Sequence, residues 1–596
     1  MGTRALKSSQ HSKRTRPATS SGESFHAKGV SAAAEGKHDL AAALFAQAIQ
    51  LSGPRAPYCH SLARSLHASG RYRQAAVCYQ QAMVREPENI HLHLGLARAL
   101  FQENRIGETV AVLRDALAGK PNVAEGWALL GNALSHADRY ELAREALDRA
   151  ISLDPTQPGF HYDLGLVLSR TGESQEAEAS YRRALQLRAR FPEALNNLGN
   201  LLRRRKATPQ AVDCYQQALK FRPGYLDATY NLGLALQDLD LLEDAAGCYG
   251  AVLKEKPEHH ASLNNLANVL LRGGRVDEAL ARYDEAVRLS PDSREYRVNL
   301  GMAQLLDGDF PSGWRNYGAR RAPVRSDLTL WNGEPVEGRG ILLLSEQGLG
   351  DTIQFIRYAR RLHHEGGRVS ALCPESLAEL LRTAPGLENV IVSGQQVSHC
   401  DWYAPLMHLP RLFDTRLESI PADTPYLFAD PERVRQWELE LNIPPSQFKV
   451  GLAWRGAAEH WNDRNRSIDP AELGALGELP DTAWISLQKG FPQGCESLSF
   501  TPLPRDLEDF ADTAALMAHL DLVISVDTSV AHLAGALARP VWTLLPFAPD
   551  WRWLRDRNDS PWYPNMTLFR QERRGEWKPV LEEVREELAR IRSVKQ

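Results

Sequence analysis

Small and apolar positions over residues 22–325 recur with a period of 34. A small residue stands at Ala41, Ala75, Thr109, Ala143, Ala177, Ala211, Ala245 and Ala279, and a bulky one follows four residues later at Phe45, Tyr79, Leu113, Leu147, Tyr181, Tyr215, Tyr249 and Tyr283. Twelve residues before each small position is Gly or Ala, and a proline closes most units (Pro87, Pro121, Pro155, Pro223, Pro257, Pro291). This pattern predicts two helices per unit. The small residues let them cross closely, the ring fills the gap, and proline ends the second helix. A ninth unit, 294–325, keeps Gly301 and Tyr317 but loses the central alanine. After 340 the period changes. Short apolar runs at 341–344, 369–373, 390–393, 450–454, 484–487, 522–526 and 541–545 alternate with helical stretches, as strands buried on both faces of a parallel sheet do. Ile353, Ile356, Ala359 and Leu362 form the inner stripe of one helix, ended by Gly366-Gly367.

The turns after these strands carry the candidate chemistry. Asp527, Thr528 and Ser529 follow the run 522–526, all good helix caps, and His532 lies in the first turn on the same side as Thr528. After 341–344 comes Gln347-Gly348-Leu349-Gly350-Asp351. The third glycine of a dinucleotide fingerprint is replaced by Ile353, so the pair Gly348 and Gly350 is read instead as letting an acceptor or sugar approach the backbone, with Asp351 exposed at the helix start. Arg455 follows 450–454, Arg466 ends the loop His460-Trp461-Asn462-Asp463-Arg464-Asn465-Arg466-Ser467, and Lys489-Gly490 follow 484–487. In parallel sheets ligands bind past the carboxyl ends of strands, where helix N-termini and cations suit a pyrophosphate. Taken singly, each of these residues is a cap or a surface charge; together they share one topological position past the strand ends.

Within the repeats, Asn197, Asn231, Asn265 and Asn299, with Asp163 one unit earlier, stand two residues before the Gly/Ala position. Stacked helix pairs form a groove lined by the first helices. A file of amides there could hold both donors and acceptors of an extended peptide, although Asn is common at this repeat position. The pairs Asp238/Asp240 and Asp307/Asp309 fall in turns between helices, as does the end of Arg203-Arg204-Arg205-Lys206, so neither a metal-binding D-x-D nor a nucleic-acid patch is expected. Cys78, Cys214 and Cys248 share one repeat position beside the packing ring and are structural.

Composition narrows this little. Hydrophobic content of 43%, charged content of 24% and a net charge of −4 describe an ordinary globular chain and argue against a nucleic-acid binder. Seven cysteines without C-x-x-C spacing fit free thiols in a reducing cytoplasm. No apolar run is long enough for a membrane span. Residues 1–21 read as a disordered basic tail, 326–340 as a linker, 341–430 as a short first lobe and 431–596 as a second lobe ending in an amphipathic helix (Val580, Leu581, Val584, Leu588, Ile591) that packs back across the lobes.

The 34-residue unit is identified as the tetratricopeptide repeat, and the asparagine file resembles the asparagine ladder of O-GlcNAc transferases. SEQGLGDTIQFIRY, GLAWRG…NDRNRS, SLQKG and VDTSVAHLAGAL, spanning roughly residues 341–550 in that order, resemble a glycosyltransferase of the two-Rossmann-lobe (GT-B) type, nearest the heptosyltransferase-like family. The fold class expected is an α-solenoid followed by an α/β GT-B half. The resemblance implies an inverting, metal-independent transfer from a nucleotide-diphosphate sugar, with no cofactor. In it Asp351 is the acceptor-activating base. Asp527, Thr528 and His532 hold the nucleoside diphosphate, Arg466 is a phosphate-binding cation, and Arg455, Lys489 and Ser529 assist. Ser529 replaces the glycine usual after Asp-Thr, and the first lobe is shorter than in free-standing family members. The expected acceptor is a protein or peptide in the repeat groove. The alternatives are a saccharide or lipid-linked acceptor, and a non-catalytic scaffold.

Overall fold

The structure is a computed structural model that describes residues 21–397, 400–457, 462–477, 479–489 and 494–595. Of the basic tail expected over residues 1–21 only Ser21 is described, and it opens a helix; His460, Trp461 and Gly490 also lie outside the described residues. Eighteen helices run from Ser21–Ala34 to Phe310–Tyr317, and within each of the chain's two compact units successive helices pack on one another. The repeat logic is visible in atoms. A Cβ on Gly165 or Gly199 would lie 2.6 Å from the ring of Tyr181 or Tyr215, so glycine here is a packing requirement. In the ninth unit Gly313 stands at the position of the lost alanine, and a Cβ on Gly301 would lie 2.9 Å from its carbonyl oxygen. Two opposed glycines thus replace the usual small-residue crossing.

The chain divides into two compact units, residues 1–239 and 240–596. The break falls inside the repeat array, and the last repeats belong to the same unit as the α/β half. Phe310, Trp314 and Tyr317 share a buried core with Phe355, Trp551 and Trp562, and the Trp314 indole donates to Thr415 O at 3.1 Å.

Two five-stranded sheets, wholly parallel, follow. β1 (Thr329–Leu330), β2 (Gly340–Leu344), β3 (Arg368–Cys373), β4 (Leu387–Val392) and β5 (Trp402–Pro405) lie in the order β1-β5-β2-β3-β4. β6 (Phe448–Ala453), β7 (Thr482–Ser486), β8 (Leu522–Val526), β9 (Val541–Leu545) and β10 (Met566–Arg570) lie in the order β10-β9-β8-β6-β7. In each sheet the order reverses beside its first long strand, between β2 and β5 and between β6 and β8. Such switch points open a crevice past the strand ends.

Three sequence expectations change. The segment read as a linker contributes β1, whose backbone pairs with Trp402 and Tyr403 of β5. The helix expected from the stripe Ile353–Leu362 is two helices, Leu349–Phe355 and Tyr358–His364, because the buried Arg357 between them turns its Nε–H onto Gln354 O at 2.8 Å. The terminal helix Lys578–Lys595, expected to pack across both lobes, is seen among the described residues on the second. Val580, Leu581, Val584 and Leu588 pack into the second lobe's own core with Val450, Leu452 and Leu473.

Candidate active site at two strand-order reversals

β2 runs into Ser345-Glu346-Gln347-Gly348, and the helix Leu349–Phe355 begins beside the first reversal. The Asp351 carboxylate reaches back to accept from Gly348 N at 2.7 Å, which satisfies an orphan donor of the helix start. Asp351 is not exposed as the sequence suggested: its side chain is 16% accessible, because Arg552 Nη2 donates to its other oxygen. Arg552, itself buried, also donates through Nη1 to Asp550 at 2.8 Å and through Nε to Gln354 at 2.7 Å. Burial works against its charge, but the carboxylates of Asp550 and Asp351 outweigh that and hold the guanidinium firmly protonated.

β8 ends in Asp527, and Thr528 Oγ1 caps the helix Ser529–Ala536 by accepting from Val530 N at 3.3 Å. His532 is buried in its first turn. Its Nδ1 lies 3.0 Å from Tyr563 OH and its ring stacks on Trp553 at 5.3 Å. Burial, reinforced by Arg552, Arg357 and Arg466, drives its pKa well below the ordinary range, so the imidazole is neutral. Asp527 is pushed up to about 6 by burial and by Asp550, with Arg466 and Arg552 pulling the other way.

The two switch points meet here. A Cβ on Gly350 would lie 2.8 Å from His532 Cδ2 and 3.4 Å from Ser529 Cα, so only glycine lets the two helices come this close. Arg466, at the end of the short helix Asp463–Arg466, donates through Nη1 to Asp527 O at 3.0 Å. Among the described residues its buried Nε makes no hydrogen bond and meets Asp463 at 3.5 Å. Asp351, Gly350, Asp527, Thr528, Ser529, His532 and Arg466 therefore form one cluster. Gln347 sits at its edge, with φ 59° and its amide 3.2 Å from Tyr317 OH. Arg455 and Lys489 are exposed past β6 and β7, and no contact among the described residues joins them to Asp351 or His532.

Sequence reasoning missed Arg552, Asp550 and Tyr563, which no repeat or turn pattern flags; the D-W-R-W run 550–553 was the available signal. It also missed Glu346, buried with Arg320 Nη2 donating to it at 2.7 Å and Met407 N at 3.0 Å. Burial raises the Glu346 pKa, partly offset by Arg320. His408 nearby is pushed down to about 4 by burial, Arg320 and Arg411.

In the repeats the predicted file is half-buried and already occupied laterally. Asn197 Nδ2 donates to Tyr162 OH at 3.0 Å, Asn231 Nδ2 to Asn196 at 2.9 Å and Asn299 Nδ2 to Asn264 at 3.0 Å. Asn265 accepts from Asn264 and Asn268, and Asp163 accepts from Asn132 at 2.9 Å. The aspartates of both D-x-D pairs are spent structurally: Asp238 on Arg203, Asp240 on Arg272 and Arg574, Asp307 on Arg555, and Asp309 as a helix cap. Burial raises the thiols of Cys78, Cys214 and Cys248 to about 11, so they are unreactive. Among the described residues no group of three or more His, Cys, Asp or Glu is placed to hold a metal ion, and no helix is long and apolar enough to cross a membrane.

Tetratricopeptide-repeat profiles match residues 66–133, 137–172, 159–224, 230–294 and 265–312. The glycosyltransferase family 9 (heptosyltransferase) profile matches residues 494–586, a span that holds Asp527, His532 and Arg552 but neither Asp351 nor Arg466. The chain is 28% identical over 344 residues to the protein FlbA of Caulobacter vibrioides, covering 50% of this chain and 56% of FlbA, so it spans little more than half the length of that relative. Among solved structures, the Cut9–Hcn1 hetero-tetramer of the APC/C is 18% identical (TM-score 0.37; 45% of this chain, 52% of that one). The tetratricopeptide protein TTC0263 of Thermus thermophilus is 25% identical (TM-score 0.28; 30% and 99%). The chain carries tetratricopeptide repeats followed by a glycosyltransferase family 9 domain.

Proposed function

We propose that this protein is an inverting glycosyltransferase that moves a sugar from a nucleotide-diphosphate donor to a protein or peptide acceptor presented by the repeats. The observation that carries the reading is the meeting of both switch points at Gly350 and His532, with Asp351 on one side and Arg466 on the other. The acceptor hydroxyl gives its proton to Asp351 while its oxygen bonds the anomeric carbon and the bond from that carbon to the diphosphate breaks. A carboxylate held by a guanidinium is a weak base, so Asp351 acts only as the new bond forms; such help is worth roughly 10²–10⁴-fold. The departing diphosphate collects negative charge. Arg466 has a buried Nε–H, without a hydrogen-bond partner among the described residues, to offer it, and the N–H groups opening the helix Ser529–Ala536 add to the field. His532 is neutral, so it contributes a hydrogen bond rather than a charge. Arg455 and Lys489 fit donor contacts made from the rim once the diphosphate is bound. Seven free cysteines fit a cytoplasmic site of action.

The bonds that the repeat asparagines already make favour a second reading of the acceptor, a saccharide or lipid-linked hydroxyl bound by the α/β half, with the repeats serving only to dock. Diphosphate release from a panel of nucleotide sugars tests the core of the proposal. Release is expected with wild type and lost in Asp351→Ala and His532→Ala. Equal rates in all three proteins remove the site assignment.

A further inference from the structure

Far from this cluster in sequence, the second and third repeats line an open cavity of about 520 Å³, within the range of ligand sites. It is lined from two helices. On Ala56–Ala68 the residues are His60, Arg64 and His67, at offsets of four and three, so they share one face. On Ile90–Gln102 they are His91, Leu94, Gly95 and Arg98, again one face. The Tyr79 ring closes the back, pressed against Gly95, where any Cβ would overlap it. Among the described residues no carboxylate lines the cavity. Each row spans seven residues of helix, about 10 Å, so its basic side chains form an elongated strip rather than a point.

The charges in the strip are only partly neutralised. Arg98 is paired with Glu125. Arg64 is exposed and makes no hydrogen bond or ion pair among the described residues, and His67 Nε2 is buried without a hydrogen-bond partner. We infer that this cavity binds an acidic peptide segment, whose carboxylates pair with Arg64, Arg98 and the histidines while its backbone lies over Leu94 and Tyr79. An extended chain places alternate side chains on one face about 6.6 Å apart, which suits two rows of basic side chains. Arginine forks favour carboxylates over a diffuse anionic surface.

The site carries its own pH dependence. Burial lowers the pKa of His60, with Arg64 and His91 adding to the effect and Glu86 opposing it. Burial and then Arg98 lower that of His67. Both rings are therefore neutral at pH 7, and a bound carboxylate restores the proton. Binding takes up protons, and affinity rises as pH falls.

The test uses the full chain and a fluorescein-labelled deca-glutamate peptide, read by fluorescence anisotropy. Binding is expected to be at least fivefold tighter at pH 6 than at pH 8. Arg64→Glu, on an exposed side chain, should weaken it at least tenfold, and Arg64→Gln less. His60→Gln with His67→Gln should flatten the pH profile, with diphosphate release by the α/β half unchanged. Unchanged affinity in Arg64→Glu overturns the inference. So does equal binding of a deca-glutamine peptide, or an oligothymidylate that binds the same residues more tightly.

Discussion

The repeats and the α/β half bury polar groups in opposite ways. In the repeats the same bond recurs at the same place: Asn231 to Asn196 and Asn299 to Asn264 across neighbouring units, Tyr215 to Asn200 and Tyr283 to Asn268 within them. These are neutral pairs, and each joins elements close in sequence. In the α/β half ions such as Glu346, Arg357 and Arg552 are buried among the neutral groups, and they gather. Arg552 reaches Asp351 across 201 residues, and Arg357 reaches the Trp562 carbonyl across 205. Polar burial that repeats along a solenoid is a joint. Buried ions drawn together from distant elements cost desolvation that packing alone does not require, which is why such gatherings mark sites.

The comparison breaks if the gathered ions prove dispensable. Arg552→Leu leaves Asp351 and Asp550 facing each other without their cation, and a loss of about 3–5 kcal/mol in stability is expected. Denaturant unfolding measures it. Arg552→Leu combined with Asp351→Asn should recover part of the loss, since one of the two stranded charges is gone. A single mutant as stable as wild type would mean the ions are screened like surface charges. A smaller effect is expected from Gly350→Ala. Its methyl would press on His532 Cδ2 at 2.8 Å, so the two switch-point helices must part. Overpacking of this kind costs about 1–3 kcal/mol, and diphosphate release should fall with it. Stability lost with release unchanged would separate the helix contact from the chemistry.

What the sequence made legible follows the same division. The repeats could be read because one packing solution is written many times, down to the ring that fills each crossing. The α/β class could be read because parallel strands are apolar throughout and their turns carry caps. β5 escaped because Trp402–Pro405 is four residues long and flanked by no turn signal. The Arg552 junction escaped for a deeper reason. An ion pair between residues 201 apart leaves no period and no local pattern, and Asp351 alone looks like any helix-start carboxylate. In the sequence Gly350 reads as a ligand approach; its use against His532 depends on how the two lobes pack.

The mildest test falls in the repeats, at Asp163. Its carboxyl is pushed up to about 6 by burial, with the hydrogen bond from Asn132 pulling the other way. The folded chain therefore holds this proton up to about pH 6, while the unfolded chain releases it near the ordinary value of about 3.9. The folded state binds more protons between those values, so this residue's contribution to stability falls as pH rises through the window and stays low above it. An amide can accept the same bond from Asn132 without carrying the charge. Asp163→Asn should thus stabilise the repeats at pH 7 by about 1–3 kcal/mol, and have little effect below pH 4. Slower amide hydrogen exchange in the helix Pro158–Thr171 would report it locally. If Asp163→Asn loosens that helix at pH 7 instead, the charge itself is being used, and this joint in the solenoid obeys the rule of the α/β half.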